Sequence, residues 1–337
     1  MPKAHILNSF PRFFTTSCVL KHENPLGLPR KSGTPPQIPR RAGPVQRRPI
    51  PNVKKVIAVA SGKGGVGKST IAVNLAFALG LLRSNSASQS PTARLRVGIL
   101  DLDIFGPSIP TLMGLRQSLE PELTASGAIR PLTNHGVPCM SMGFLLPRSP
   151  DSNSNEDTPV VWRGLMVQKA VQQLLFDVDW TGGAGGSGLD ILVIDMPPGT
   201  GDVPLTLGQL VQVDGAVIVS TPQDVALSDV RKGIAMFKKV SVPITGLVLN
   251  QSNFICPTCA TSHSLFGPPD AFRATAKSLE LNVLAELPLV PGVSISSDEG
   301  RPVMLCQQDS TTEKGKIQWR AGMTHAAQVV WDKVSSP

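Results

Sequence analysis

The stretch Ser61 to Thr70, SGKGGVGKST, places Gly62, Gly67, Lys68 and Ser69 at the spacing G-x-x-x-x-G-K-[ST]. A loop of this composition between a strand and a helix turns backbone N–H groups inward around phosphate oxygens. The start of the following helix adds its partial positive charge. Gly62, Lys63, Gly64, Gly65, Val66 and Gly67 would form the cradle, and Lys68 would meet the outer phosphates. Ser69, with Thr70 beside it, would offer a hydroxyl to Mg2+. The bland alternative is a glycine-rich turn without chemistry, and the carboxylates downstream argue against it.

Asp195 closes the apolar run Leu189 to Asp195 about 130 residues after the loop, where a carboxylate can hold the magnesium shell. Gly199 and Gly201 follow it and give backbone freedom to a loop that could sense the outer phosphate. Asp101 and Asp103, at i and i+2, share one side if the strand continues through them. One would bind a water on magnesium and the other would orient the attacking water. Asp103 is assigned the water and Asp101 the metal shell, although the sequence does not fix where the strand stops. Asn250, at the end of a later strand, offers an acceptor and donors to an adenine edge.

Cys256-Pro257-Thr258-Cys259 is a single CxxC, a weak signal by itself. Zinc would want two further ligands and only His263 is near. A redox pair would sit at a helix start in a βαβ unit. A [4Fe–4S] cluster takes four thiolates, which a two-fold dimer of a chain with one CxxC supplies at its axis. Cys139 and Cys306 are isolated and expected to be small buried residues. With Cys18 the total is five, an odd and sparse set that fits a reducing compartment better than a disulfide framework.

These residues need a scaffold of strands whose ends meet. Apolar runs at 56–60, 97–100, 189–195, 216–219, 244–249 and 283–287 read as strands. Helical spacing covers 71–82, 165–175, 225–239, 271–281 and a final run near 321–334. Strands of continuous apolar residues alternating with helices predict an α/β fold: one P-loop domain with a mainly parallel sheet covered by helices on both faces. Polar or glycine-rich stretches at 84–92, 151–158 and 182–188 read as surface insertions, and 251–270 breaks the rhythm with Pro and Gly around the CxxC. No internal repeat is visible.

Of the formal charge of +8, all comes from residues 1–48, which hold nine Lys/Arg against one acid, Glu23; the remaining 23 basic and 23 acidic residues cancel. An acid-poor head rich in Arg, Ser, Thr and Pro has the composition of a mitochondrial transit peptide, and Arg12 to Ser17 resembles the R-x-F-x-x-S matrix-processing pattern. A basic arm for nucleic acid is the competing reading, and nothing else in the chain supplies base readout. Residues 1–48 are therefore expected to be a leader and linker, with a P-loop nucleotide-binding domain at 49–337 that carries the CxxC segment at 251–270. No run reaches the ~18 apolar residues that span a bilayer.

Lys63, directly after the first glycine, makes a resemblance specific. SGKGGVGKST resembles the deviant Walker A loop of the family that includes nitrogenase iron protein, MinD-type partitioning ATPases and Mrp-type iron–sulfur ATPases. LDLDIFGPSIP (100–110), VWRG (161–164), IDMPPGTGD (194–202), GLVLNQS (246–252) and FICPTC (254–259) resemble the Mrp branch, over about 53–334. The transit-like head points to its mitochondrial member, which serves respiratory complex I assembly.

The resemblance implies ATP as the nucleotide, a homodimer in which Lys63 reaches the partner's nucleotide, and catalytic roles for Lys63 and Asp103 in a weak ATPase. It implies a labile [4Fe–4S] cluster bridging Cys256 and Cys259 of both subunits. That cluster would come from upstream assembly proteins and go to apo iron–sulfur subunits of complex I in the mitochondrial matrix. The alternatives are a metal-free MinD-like positioning or scaffold ATPase and an ATP-coupled electron donor.

Overall fold

A computed structural model describes residues 46–83, 94–145, 164–182, 186–256, 258–259, 261–306 and 314–336. Residues 1–45 of the expected leader, the insertions at 84–92 and 151–158 and most of VWRG lie outside these residues, and the glycine stretch at 182–188 lies partly outside them. Side-chain contacts of the body begin at Arg47, which donates to the Val240 carbonyl. The Arg48 guanidinium lies 3.5 Å over the Phe176 ring, and Ile50 is buried.

Strand β1 (Val53–Ser61) runs apolar and buried from Val56 onward into the phosphate loop, and α1 (Lys68–Leu81) starts at the loop's lysine. Then come β2 (Val97–Asp101), the short α2 (Ile109–Leu112), β3 (Leu132–Asn134) and β4 (Val137–Ser141). The middle of the chain forms α3 (Gly164–Phe176), β5 (Leu189–Asp195), α4 (Asp202–Leu210), β6 (Gly215–Ser220), α5 (Asp224–Lys239) and β7 (Ile244–Leu249). A two-stranded ribbon, β8 (Phe254–Ile255) and β9 (Ser262–His263), precedes α6 (Asp270–Ser278), β10 (Val283–Glu286), α7 (Pro291–Asp298) and α8 (Lys314–Ser335).

Eight strands form one sheet in the order β10-β7-β6-β1-β5-β2-β4-β3, with helices on both faces. Every pairing in that sheet is parallel except β3 with β4. That hairpin turns on His135 (φ 51°) and Gly136 (φ 78°), two left-handed residues in the tight turn that matches strand twist. β1 from Val56 onward, β5 and β2, side by side at the centre, are buried, which explains their mostly apolar sequences. Their carboxyl ends lie together, and in open α/β sheets the crevice outside those ends holds the ligand.

Helix α1 has buried residues on nearly every side, because it lies between the sheet and α8. Asn74 within it is tied at both ends: Nδ2 donates to the Thr70 carbonyl at 2.9 Å and Oδ1 accepts from the Met304 amide at 3.1 Å. Helix α8 is longer than the expected run near 321–334: it begins at Lys314, and Trp319 within its first turns is fully buried.

Candidate functional site

The phosphate loop leaves β1 at Ser61, whose hydroxyl donates to the Lys63 carbonyl at 2.9 Å. Gly65 (φ 79°) and Gly67 (φ 84°) take left-handed backbone conformations that favour glycine. Two neighbours press on the loop. A Cβ at Gly62 would stand 2.5 Å from the Asp229 carbonyl carbon on α5, and a Cβ at Gly67 would run into Asn250 Nδ2. Asn250 is buried there and donates through Nδ2 to the Val66 carbonyl at 2.8 Å. Part of the amide assigned to an adenine edge thus holds the loop itself.

Lys68, buried at the start of α1, directs Nζ to Asp195 Oδ1 at 2.5 Å and to Ser69 Oγ at 3.2 Å; Asp103 Oδ2 stands 3.9 Å away. Asp195 exposes no surface, and its second oxygen, Oδ2, has no hydrogen-bond partner among the described residues. A buried carboxylate oxygen without a donor, close to the P-loop serine, fits a cation such as Mg2+, which takes one or two protein oxygens and fills its shell with phosphate and water. Burial pushes the Asp195 carboxyl up, and the Lys68 ammonium opposes that shift.

The paired aspartates take different surroundings. β2 ends at Asp101, and the chain turns at once, so the i, i+2 rule for extended chain no longer places Asp101 and Asp103 on one side. Asp101 Oδ1 accepts from the Asp103 amide at 2.9 Å; Oδ2 accepts from the Ile109 amide at 3.2 Å and the Ser141 hydroxyl at 3.0 Å. Both oxygens thus hold the turn together. Burial, then the neighbouring Asp195 charge, raises Asp101 to about 7. Asp103 stays partly exposed beside Lys68; burial raises its pKa while the Lys68 charge lowers it.

A cavity of about 570 Å3 is lined by Lys63, Gly64, Gly65, Gly67, Lys68, Ser69, Thr70 and Asp103. Asp101 and Asp195 are not among its lining residues; Lys68, which is, reaches Asp195. A second hollow of about 190 Å3 shares Gly67 and Thr70 with the first and is lined further by Asn250, Gln251 and Pro288. Pro198, from the 194–202 motif, also lines the larger cavity, as do Thr111, Arg116 and Asp298, which belong to no motif in the sequence. Asp298, at the end of α7, comes some 230 residues after the loop and is brought there by the fold alone. Lys63 is exposed at the rim and makes no ion pair with a described residue. Gly199 (φ 89°) donates its amide to the Ser61 carbonyl at 2.8 Å, fastening the loop after β5 to the start of the phosphate loop.

The cysteine pair sits at the turn of the β8–β9 ribbon. Phe254 pairs with His263 and Ile255 with Ser262, and the Cys256 amide donates to the Thr261 carbonyl at 3.0 Å. Cys259 is exposed and Cys256 is half-buried. Cys259 Sγ lies 3.2 Å from Thr261 Oγ1, and hydrogen bonding with the Thr261 side chain and backbone lowers the thiol pKa. His263 is exposed on the ribbon, and no cluster of three or more metal-ligating side chains exists among the described residues. Cys139 is fully buried, and its thiol is pushed up to about 12 by burial and the Asp101 charge. Cys306, expected to be buried, is only half-covered.

A family profile described as NUBPL iron-transfer P-loop NTPase matches residues 52–321. The chain is 48% identical over 301 residues to the iron-sulfur cluster transfer protein NUBPL of Mus musculus, covering 89% of this chain and 84% of that one. It is 46% identical over 262 residues to an iron-sulfur protein required for NADH dehydrogenase, mitochondrial, of Arabidopsis thaliana, covering 78% and 75%. Bacterial relatives named iron-sulfur cluster carrier protein are also similar, at 42% identity in Aquifex aeolicus. Among solved structures, a nucleotide-binding protein in complex with ADP from Archaeoglobus fulgidus superposes with a TM-score of 0.58 at 34% identity, covering 74% of this chain and 88% of that one. The MinD cell division ATPase of Pyrococcus furiosus, at 20% identity and a TM-score of 0.52, shares the fold. With a profile match over most of its length and relatives near half identity, this chain belongs to the NUBPL iron-transfer P-loop NTPase family, a branch of the ParA/Mrp-type ATPases.

Proposed function

We propose that this protein is a mitochondrial matrix carrier that holds a transient [4Fe–4S] cluster as cargo between two copies of itself and delivers it to apo iron–sulfur subunits of respiratory complex I, with ATP setting when it lets go. The observation that carries this reading is the presentation of Cys256 and Cys259. They lie at the turn of a short ribbon that leaves Cys259 exposed and Cys256 half-buried, and hydrogen bonding at Thr261 lowers the Cys259 thiol pKa. One chain supplies two thiolates at that turn, and a second copy about a two-fold axis brings the count to four.

ATP with Mg2+ would supply charged phosphates to the loop. Lys68 and the inward amides of Gly64 to Ser69 would hold them, while Asp195 Oδ2 and the Ser69 hydroxyl would hold the metal. Asp103, partly exposed in the cavity and 3.9 Å from Lys68, would orient a water for weak hydrolysis. Lys63, exposed at the rim, would extend to the nucleotide of the second copy. The names of the mouse and plant relatives support iron–sulfur clients and a mitochondrial role.

Transfer can be watched directly by incubating cluster-loaded protein with separate purified apo-subunits of complex I, with and without Mg-ATP. Cluster should appear on at least one subunit and the yield should respond to ATP, while Lys68→Ala keeps its cluster and loses the ATP response. Cluster that stays on the protein through repeated ATP additions would refute delivery.

A further inference from the structure

The segment from Asn250 to Cys256 is clamped at both ends, one end in the phosphate loop and the other in the thiol ribbon. At the first end, Asn250 Nδ2 donates to the Val66 carbonyl at 2.8 Å, and its own amide donates to the Ser220 carbonyl at 2.8 Å. Gly67 approaches Asn250 so closely that no Cβ fits between them. Movement of the loop backbone at Val66 and Gly67 must therefore move Asn250 as well.

Gln251 follows in a left-handed conformation (φ 56°), uncommon for a residue with a side chain. The next two residues are fixed. The Ser252 amide donates to the Leu287 carbonyl at 2.9 Å, and the Asn253 carbonyl accepts from the Leu289 amide at 2.7 Å. Asn253 Nδ2 then crosses to Ser262 Oγ on β9 at 2.7 Å, binding the two arms of the ribbon together just below the cysteines. From the amide that touches the phosphate loop to the first thiol is six residues of chain, with hydrogen bonds along most of its length.

From this continuity we infer that Asn250 is a positioning residue that transmits occupancy of the phosphate loop to the thiol ribbon, with Asn253 as the far clamp of the same lever. The inference rests on the proposed role of Cys256 and Cys259 and adds how nucleotide reaches them. Phosphate bound against the amides of 64–69 would shift the Val66 carbonyl. Asn250 would follow, Gln251 would absorb the torsion, and the ribbon would turn Cys259 relative to the body. Such coupling needs no contact between nucleotide and cysteine.

The test is the alkylation rate of Cys259 by iodoacetamide in the cluster-free full chain, read at the Cys259 peptide by mass spectrometry, with and without Mg-ATP. Nucleotide should change the rate by about fivefold or more in the native chain. Asn250→Ala should give equal rates with and without nucleotide. Because Asn250 also lines the hollow beside the loop, Asn253→Ala is the second variant: it should bind Mg-ATP with native affinity and still lose most of the rate change. A native chain whose rate ignores Mg-ATP overturns the inference, as does a native-sized response in either variant. If Asn250→Ala fails to fold or to bind nucleotide, Asn253→Ala decides alone. Cluster reconstitution tells the two ideas apart. A coupled thiol that never holds iron refutes the carrier reading only, and a loaded cluster on an uncoupled ribbon refutes the lever only.

Discussion

Asp101 and Asp195 are register partners on the adjacent parallel strands β2 and β5, and neither exposes any surface. Two carboxyls side by side in a buried layer cannot both carry charge cheaply. The pair is asymmetric in its partners: Lys68 neutralises Asp195 at 2.5 Å, while Asp101 has only neutral donors and is raised to about 7.

This fixes a pH dependence of stability. A carboxyl raised by folding binds its proton more tightly in the folded chain than in the unfolded one. Its contribution is therefore most favourable below the unfolded pKa of about 4 and declines as pH rises toward the folded value. Urea unfolding of the native chain against Asp101→Asn should show the native chain losing ground between about pH 4 and pH 7, by a few kcal/mol at most. A difference that stays constant over that window would contradict the account.

Removing the cation alone should be worse than removing the pair. Lys68→Met leaves Asp195 buried without its counter-ion, so that it either carries an unpaired charge or takes up a proton, a loss of about 3 kcal/mol at pH 7. Lys68→Met combined with Asp195→Asn should recover most of that stability in chemical denaturation. Neither chain should bind ATP, so stability and nucleotide binding separate. A single variant as stable as the native chain would mean that the 2.5 Å contact contributes nothing to the fold.

Asp103 and Asp101 should divide function from structure. Asp103→Ala should lower the ATP hydrolysis rate by about 100-fold while nucleotide affinity and stability stay near native. Asp101→Ala strips acceptors from the Asp103 and Ile109 amides and the Ser141 hydroxyl, and should cost about 3 kcal/mol. Equal hydrolysis in Asp103→Ala and the native chain would remove Asp103 from the reaction.

What the sequence makes legible follows from how local each cause is. β5 and β7 match their apolar runs at 189–195 and 244–249 because burial on both faces writes itself as runs rich in Val, Ile and Leu. The phosphate loop is legible for a similar reason, since its glycines answer local backbone demands at Gly65 and Gly67. The β3–β4 hairpin is not, because Leu132–Asn134 is only three residues long and Pro138 sits within its partner strand. Its one local mark is Gly136, which answers the left-handed backbone of the turn. Asp101's role escaped because the turn after β2 is set by Ile109 and Ser141, residues 8 and 40 positions away. Asn250 was legible as a site residue but not as a clamp on Val66, 184 residues earlier.

Lys63 gives a prediction that separates one chain from two. Lys63→Ala should bind Mg-ATP with native affinity as an isolated chain, because Lys68 and the loop amides are intact. It should lose ATP-dependent dimerisation and hydrolysis together. Sedimentation with a slowly hydrolysed ATP analogue reads the first and phosphate release reads the second. Full activity in Lys63→Ala would leave no role for a residue in trans.

The central claim is that two copies of the chain share one cluster through Cys256 and Cys259. Anaerobic reconstitution with iron and sulfide, followed by native mass spectrometry, measures chains and iron in the same particle. The native chain should give a dimer with about four irons and four sulfides, as a cluster with four thiolate ligands requires. Cys256→Ala and Cys259→Ala should each carry none. Iron retained at native levels by either variant, or a full cluster on a single chain, would contradict the account.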